Sequence, residues 1–181
     1  MTIELIIPTI EHIPAIEAFR DLFPESPNGI HGSSQLVKAE SLELWLDQVE
    51  KDRYEETVQK GWVHAEQYVA VDSRTGEVVG MLNFRKALNE YLYNYAGHIG
   101  YSISPLRRRE GLGSEMLRLA LRDAEKFGIE RVLITCTDDN LGSAGVIEKN
   151  GGVLEDKRVD PGDGELTRRY WINMKKTAAL K

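Results

Sequence analysis

Residues Arg108–Leu121 read RREGLGSEMLRLAL, and Gly97–Pro105 just before them read GHIGYSISP. The earlier stretch is apolar and alternating, which predicts a strand over Gly97–Ser104. The later one carries Leu112, Met116, Leu117, Leu119, Ala120, Leu121, Ala124 and Phe127 at helical spacing, with Gly128 as a stop. The order is strand, short basic glycine turn, helix. A helix start leaves backbone N–H groups unpaired, and these favour an anion. Gly111 and Gly113 permit close approach or positive φ. Arg107, Arg108 and Arg109 offer guanidinium forks that match phosphate oxygens. A phosphate-bearing ligand is expected here.

The composition bounds the alternatives. A chain of 181 residues suits a single domain over 1–181 with one core, its tail from about residue 175 frayed. The net charge of −6 argues against a general nucleic-acid binder but leaves room for a local basic pocket. One cysteine, Cys136, excludes an internal disulfide framework and fits a reducing compartment. No apolar run approaches membrane length and the amino terminus lacks a basic leader, so a cytoplasmic protein without membrane partners is expected. The four histidines lack ligand spacing, so no metal site is expected.

Outward from the glycine turn, the pattern is legible in both directions. Ile3–Ile7 predicts a strand ended by Pro8, and Thr9 caps a helix carrying Ile13, Ile16, Phe19 and Leu22. Residues 24–35 are turn-rich. A second helix, opened at Glu40 or Ser41, is expected to run to about Gln59. Strands follow over Trp62–Val71 and Val78–Phe84, then a polar, tyrosine-bearing link over Asn89–Asn94. After the glycine-turn helix, Val132–Cys136 is dense enough for an interior parallel strand. A short helix over Leu141–Lys149 stops at Asn150-Gly151-Gly152, and Val153–Val159 with Leu166–Met174 closes as an antiparallel pair. Two helices, a meander, a βαβ unit and a final helix with a hairpin make one α/β layer structure.

From residue 62 to 174 this order resembles the GCN5-related N-acetyltransferase (GNAT) superfamily. Its motif, Arg or Gln, two variable residues, Gly, one variable residue, then Gly or Ala, stands here as Arg108-Arg109-Glu110-Gly111-Leu112-Gly113. The following strand VLITC and the segment TDDNLGSAGVIEKNGG match the family's closing element. The resemblance implies a mixed, mostly antiparallel twisted sheet of about seven strands with helices on both faces and splayed central strands. It implies that Arg108, Arg109, Glu110, Gly111, Leu112, Gly113 and Ser114 wrap the pyrophosphate of acetyl-coenzyme A. Ile99, Tyr101, Ser102 and Ile103 would lie along the pantetheine arm, with Asn140 and Ser143 on its far side. Relatives are often dimers, so a homodimer is a further expectation. Neither a GxGxxG after the first strand nor a GxxxxGK[ST] is present, so Rossmann and P-loop readings fail.

Acetyl transfer to an amine needs a neutral amine, a donor for the carbonyl as it gains charge, and an exit for the thiolate. Backbone N–H groups near Ser102 or Ile103 could serve the carbonyl. Many relatives place a tyrosine acid seven residues after the Asn, but here that position is Ile147. Ser143 and Tyr170 are the substitutes. His98, with an ordinary pKa of about 6.5, is a candidate base, as is Glu66; each also reads as a structural residue. For the acceptor, His31 and Ser34 in a Gly-Ser loop, Tyr93 in the tyrosine-dense link, and Asp138 are candidates. The acceptor is a small-molecule, peptide or protein amine. A coenzyme A-binding sensor without turnover is the alternative.

Overall fold

The computed structural model describes residues 2–24 and 29–175. Seven strands form one sheet: β1 (Ile3–Ile6), β2 (Ala65–Asp72), β3 (Val78–Arg85), β4 (Ile99–Ile103), β5 (Arg131–Thr137), β6 (Val153–Val159) and β7 (Leu166–Asn173). Their order across the sheet is β1-β2-β3-β4-β5-β7-β6. All neighbours are antiparallel except β4 and β5, which run parallel. Helices α1 (Ile13–Asp21) and α2 (Leu42–Lys51) cover one face; α3 (Leu112–Leu121) and α4 (Leu141–Lys149) cover the other. The mixed sheet and its two helical layers follow the expected fold class.

Alternation along the central strands builds both cores. Leu82 and Phe84 of β3 pack with Ile99, Met116, Leu117 and Ile134, whereas Met81 joins Ile16, Phe19, Trp45 and Val69 on the opposite side. A strand covered on both faces must be apolar at nearly every position, and β3 is buried over residues 78–84. His12 substitutes for the acid of a capping box: its Nδ1 accepts the Thr9 N–H at 3.0 Å.

Three boundaries differ from the sequence reading. Helix α2 ends at Lys51 rather than near Gln59, because Asp52 turns the chain inward and its carbonyl accepts the Ala65 N–H at 2.7 Å. Thr57 then donates its hydroxyl to the Lys51 carbonyl at 2.6 Å, so residues 52–62 form turns and β2 starts at Ala65. Within the tyrosine-bearing link, Leu92–Ala96 forms a π-turn, begun by Asn89 Oδ1 accepting the Leu92 N–H and ended by Gly97 at φ +68°. β5 is parallel only toward β4; it pairs antiparallel with β7 from Arg131 to Thr137. Among the described residues no helix is long and apolar enough to cross a membrane. The expected frayed tail lies outside the described residues from Lys176 onward.

Candidate functional site

After β4 the chain makes a short turn at Pro105–Arg107, extends at Arg108, takes a left-handed step at Arg109 (φ +65°) and another at Gly111 (φ +80°), and enters α3. No atom lies within 4 Å of where a Gly111 Cβ would stand, so the turn is open on that side. The N–H groups opening α3 lack helical partners. Arg108 and Arg109 are exposed, and neither pairs with a carboxylate among the described residues. Arg107 is different. Its guanidinium reaches Asp72 at 3.4 Å, Glu77 at 2.8 Å and Glu110 at 3.0 Å. Glu110 is therefore tied to the base of the turn. Leu112 is buried in the core, and Gly113 lets α3 press on α4, since a Cβ there would meet Val146 at 3.3 Å. Ser114 contributes its carbonyl to Asn150 Nδ2 at 3.1 Å.

Beside this turn the sheet opens. β4 pairs with β3 from Ile99 to Ile103, yet pairs with β5 only at Ile99–Ile134. Past that point the two parallel strands diverge, and the β5-facing backbone of Tyr101 to Ile103 has no strand partner. One polar contact crosses toward α4: the Tyr101 and Ser143 hydroxyls stand 2.8 Å apart. Burial pushes the Tyr101 phenol up to about 12. Asn140 caps α4 by accepting the Ser143 N–H at 3.0 Å. Ile147 is fully buried beneath Gly152 and holds no proton to give.

On the α1–α2 face of the sheet, against Ala65 of β2 and Asn83 and Arg85 of β3, lies a cavity of about 440 Å³. The segment 29–35 forms its roof and is fastened to the sheet at several points. Ser102 Oγ donates to the His31 carbonyl at 2.6 Å, and Trp45 Nε1 to the Ser33 carbonyl at 2.9 Å. Ser34 donates to Gln67 Oε1 at 2.6 Å and accepts from Asn83 Nδ2 at 3.0 Å. Gly32 lies so close to β4 that a Cβ would fall 2.2 Å from the Gly100 carbonyl oxygen. Ser34 and Gln35 take positive φ (50° and 61°), a strained arrangement that the anchoring holds in place. His31, Ser34, Asn83, Arg85, Asp52 and Tyr91 all line the cavity. Asp52 is the one carboxylate among the described lining residues, and burial raises its pKa while a hydrogen bond from Gln48 opposes the shift.

Other sequence candidates sit elsewhere. His98 is 6% exposed, accepts the Leu133 N–H on Nδ1 at 2.9 Å, and is pushed down to about 4 by burial and then by the charge of Arg85. It is a neutral buried acceptor between β4 and β5, not a lining residue of the cavity. Glu66 opposes Phe84 on the α3 side of the sheet, clamped at 2.7 Å by both Arg53 and Lys86. Tyr170 is fully buried with its hydroxyl on Glu148 at 3.2 Å. Asp138 is held by Lys157 and Arg168, each at 2.7 Å, which lowers its pKa. The Tyr93 ring stacks under Arg169 and Arg158, away from the cavity, whereas its neighbour Tyr91 lines it. Sequence reading missed Asp52 and Arg85, because nothing local marks a helix-end acid or a strand-end cation as sharing one cavity.

Comparison with known proteins agrees with this architecture. The sequence profile described as the acetyltransferase (GNAT) family matches residues 35–152. No curated protein matches the chain significantly. A spermidine N-acetyltransferase SpeG chimera from Vibrio cholerae and hSSAT is similar at 14% identity and TM-score 0.67, covering 98% of this chain and 99% of its own. RimL, a ribosomal L7/L12 alpha-N-protein acetyltransferase in complex with coenzyme A, is similar at 21% identity and TM-score 0.64, covering 95% and 94%. A GNAT-family acetyltransferase from Bacillus anthracis is similar at 17% identity and TM-score 0.64, covering 97% and 96%. At these identities the likeness is one of fold.

Proposed function

Because the chain belongs to the acetyltransferase (GNAT) family, we propose that it transfers the acetyl group of acetyl-coenzyme A directly to an amine held in the cavity beneath residues 29–35. The observation that carries this reading is the opening between β4 and β5, placed beside a basic turn whose Arg108 and Arg109 lack acidic partners among the described residues. The residues fit the donor. Open backbone at 109–114 suits a diphosphate, and the unpaired edge of β4 suits an amide-bearing arm that adds as a strand would. Bound there, acetyl-coenzyme A supplies the activated acyl group.

In this reading the amine nitrogen bonds to the acetyl carbon as the carbon–sulfur bond breaks, and the amine proton leaves toward the cavity. Asp52, raised by burial, receives it directly or through water. Backbone N–H groups of the splayed strand meet the carbonyl oxygen as it gains charge. With Ile147 apolar, the Tyr101–Ser143 hydroxyl pair is the proton source nearest the opening for the departing thiolate. Thiol release from acetyl-coenzyme A over a panel of amines tests the activity. Release above hydrolysis supports transfer; tight donor binding with no release supports a sensor instead, the reading that Ile147 favours. A variant combining Arg108→Ala with Gly111→Val is expected to weaken donor binding at least ~10-fold, the scale of one lost charge-assisted contact. Calorimetry on the folded variant checks this, and unchanged affinity would remove the assignment. A homodimer, the remaining expectation, would use the edge strand β6, where Val153, Leu154 and Val159 are exposed.

A further inference from the structure

Arg85 ends β3 at the floor of the cavity, and its charge is unanswered. Its Nη1 donates to the carbonyls of Ala96 and Gly97 at 3.2 and 3.1 Å, and among the described residues no carboxylate pairs with it. Nη2 lies 3.5 Å from where a Cβ on Gly100 would stand, an ordinary contact distance that places the guanidinium against β4. Burial lowers its pKa to about 10, which leaves it charged at neutral pH. The acids around it are committed elsewhere. Asp52 accepts Gln48 Nε2 at 2.8 Å, Asp160 accepts the Tyr91 hydroxyl at 2.8 Å, and Glu66 belongs to the opposite face of the sheet.

Arg85 is half-buried and lines the cavity, so an anion entering there would meet a guanidinium that holds only backbone carbonyls. The diphosphate of a donor bound at 108–113 does not reach. Arg85 lies beside the start of β4, and at ~3.3 Å per residue the strand alone separates the two sites by roughly 13 Å. An anion that reaches Arg85 comes through the cavity. Taking acetyl transfer as the activity, we infer that the acceptor is an α-amino acid or a close relative, its carboxylate docked on the Arg85 guanidinium. A planar fork matches a carboxylate. Since Arg85 adjoins Gly100 on the strand that carries the thioester, an amine one carbon from its anion stays within reach of the acyl group. A polycationic acceptor would instead meet Arg85 and, at the rim, Lys38. The Ser34–Gln67–Asn83 network supplies a neutral polar wall, and Asp52 lines the same cavity.

Titration of the coenzyme A-loaded protein with L-methionine, L-phenylalanine and L-glutamate, each against its α-amide, and with spermidine, tests this. At least one free acid is expected to bind ~10-fold or more tighter than its amide, the difference made by one charge-assisted fork. Arg85→Gln should erase that ratio without changing coenzyme A affinity, and Arg85→Lys should keep part of it. The acid-to-amide ratio of the unaltered protein reads the site even if both variants fail to fold. Amides binding as well as acids, no acid binding, or spermidine binding better than every acid overturns the inference. Selective acid binding with no thiol release leaves the anion site standing and removes acetyl transfer. Release with anion-free amines alone does the reverse.

Discussion

At Arg107 the side chain turns back to Asp72, Glu77 and Glu110, while Arg108 and Arg109 remain exposed. Three arginines that look equivalent in the chain are separated by the short turn at Pro105–Arg107, which aims the first at the β2–β3 hairpin. Nothing local in the sequence announces that split, because Glu110 neighbours all three arginines and the acids that single out Arg107, Glu77 and Asp72, lie 30 and 35 residues away. His98 was similarly readable only as a titratable residue on a strand. Its imidazole sits at about 4 against an ordinary ~6.5. A depressed value means that its share of stability is complete above ~6.5 and is lost as pH falls from there toward 4. At ~1.4 kcal/mol per pH unit this amounts to ~3 kcal/mol. Denaturant unfolding at pH 7.5 and 4.5 should show the unaltered protein losing more stability than His98→Asn. Equal losses would mean the imidazole is not excluded from water.

Among the elements, the segment 29–35 lines the cavity and is fastened to β4. Its glycines and serines read as a turn-rich connection, and that much was legible. Its seating on β4 was not, since it depends on Gly32 meeting Gly100 across the chain. Gly32→Ala must move the segment, both because its Cβ would fall 2.2 Å from a carbonyl oxygen and because φ is +72°. Acceptor KM is expected to rise ~10-fold or more, as when a binding wall shifts by about 1 Å. Coenzyme A affinity should stay within a factor of two, because Gly32 stands outside the 108–114 turn proposed to hold the donor. An unchanged KM would show that the segment does not shape the cavity. Helix α2 illustrates the converse limit. Its amphipathic pattern predicted continuation, but Asp52 is drawn inward by tertiary contacts and the helix stops.

For the whole molecule, the element order followed from periodicity and turn residues, which are local properties, whereas the mixed, mostly antiparallel sheet was implied by the family resemblance. The order β4-β5-β7-β6 and the loss of pairing beyond Ile99–Ile134 are properties of packing, and only the family resemblance anticipated the splay. The cavity is likewise assembled from several separate segments, so its charge pattern could not be read from any one of them. The segment 29–35 that roofs the cavity seats on β4 at Gly100, the strand that parts from β5 beyond Ile99. A crystal structure of the complex with coenzyme A tests that arrangement most directly. It is predicted to show diphosphate oxygens within hydrogen-bond reach of the amides of residues 109–114, with the thiol-bearing arm between β4 and β5. A nucleotide bound elsewhere, or β4 and β5 paired along their length, would contradict it.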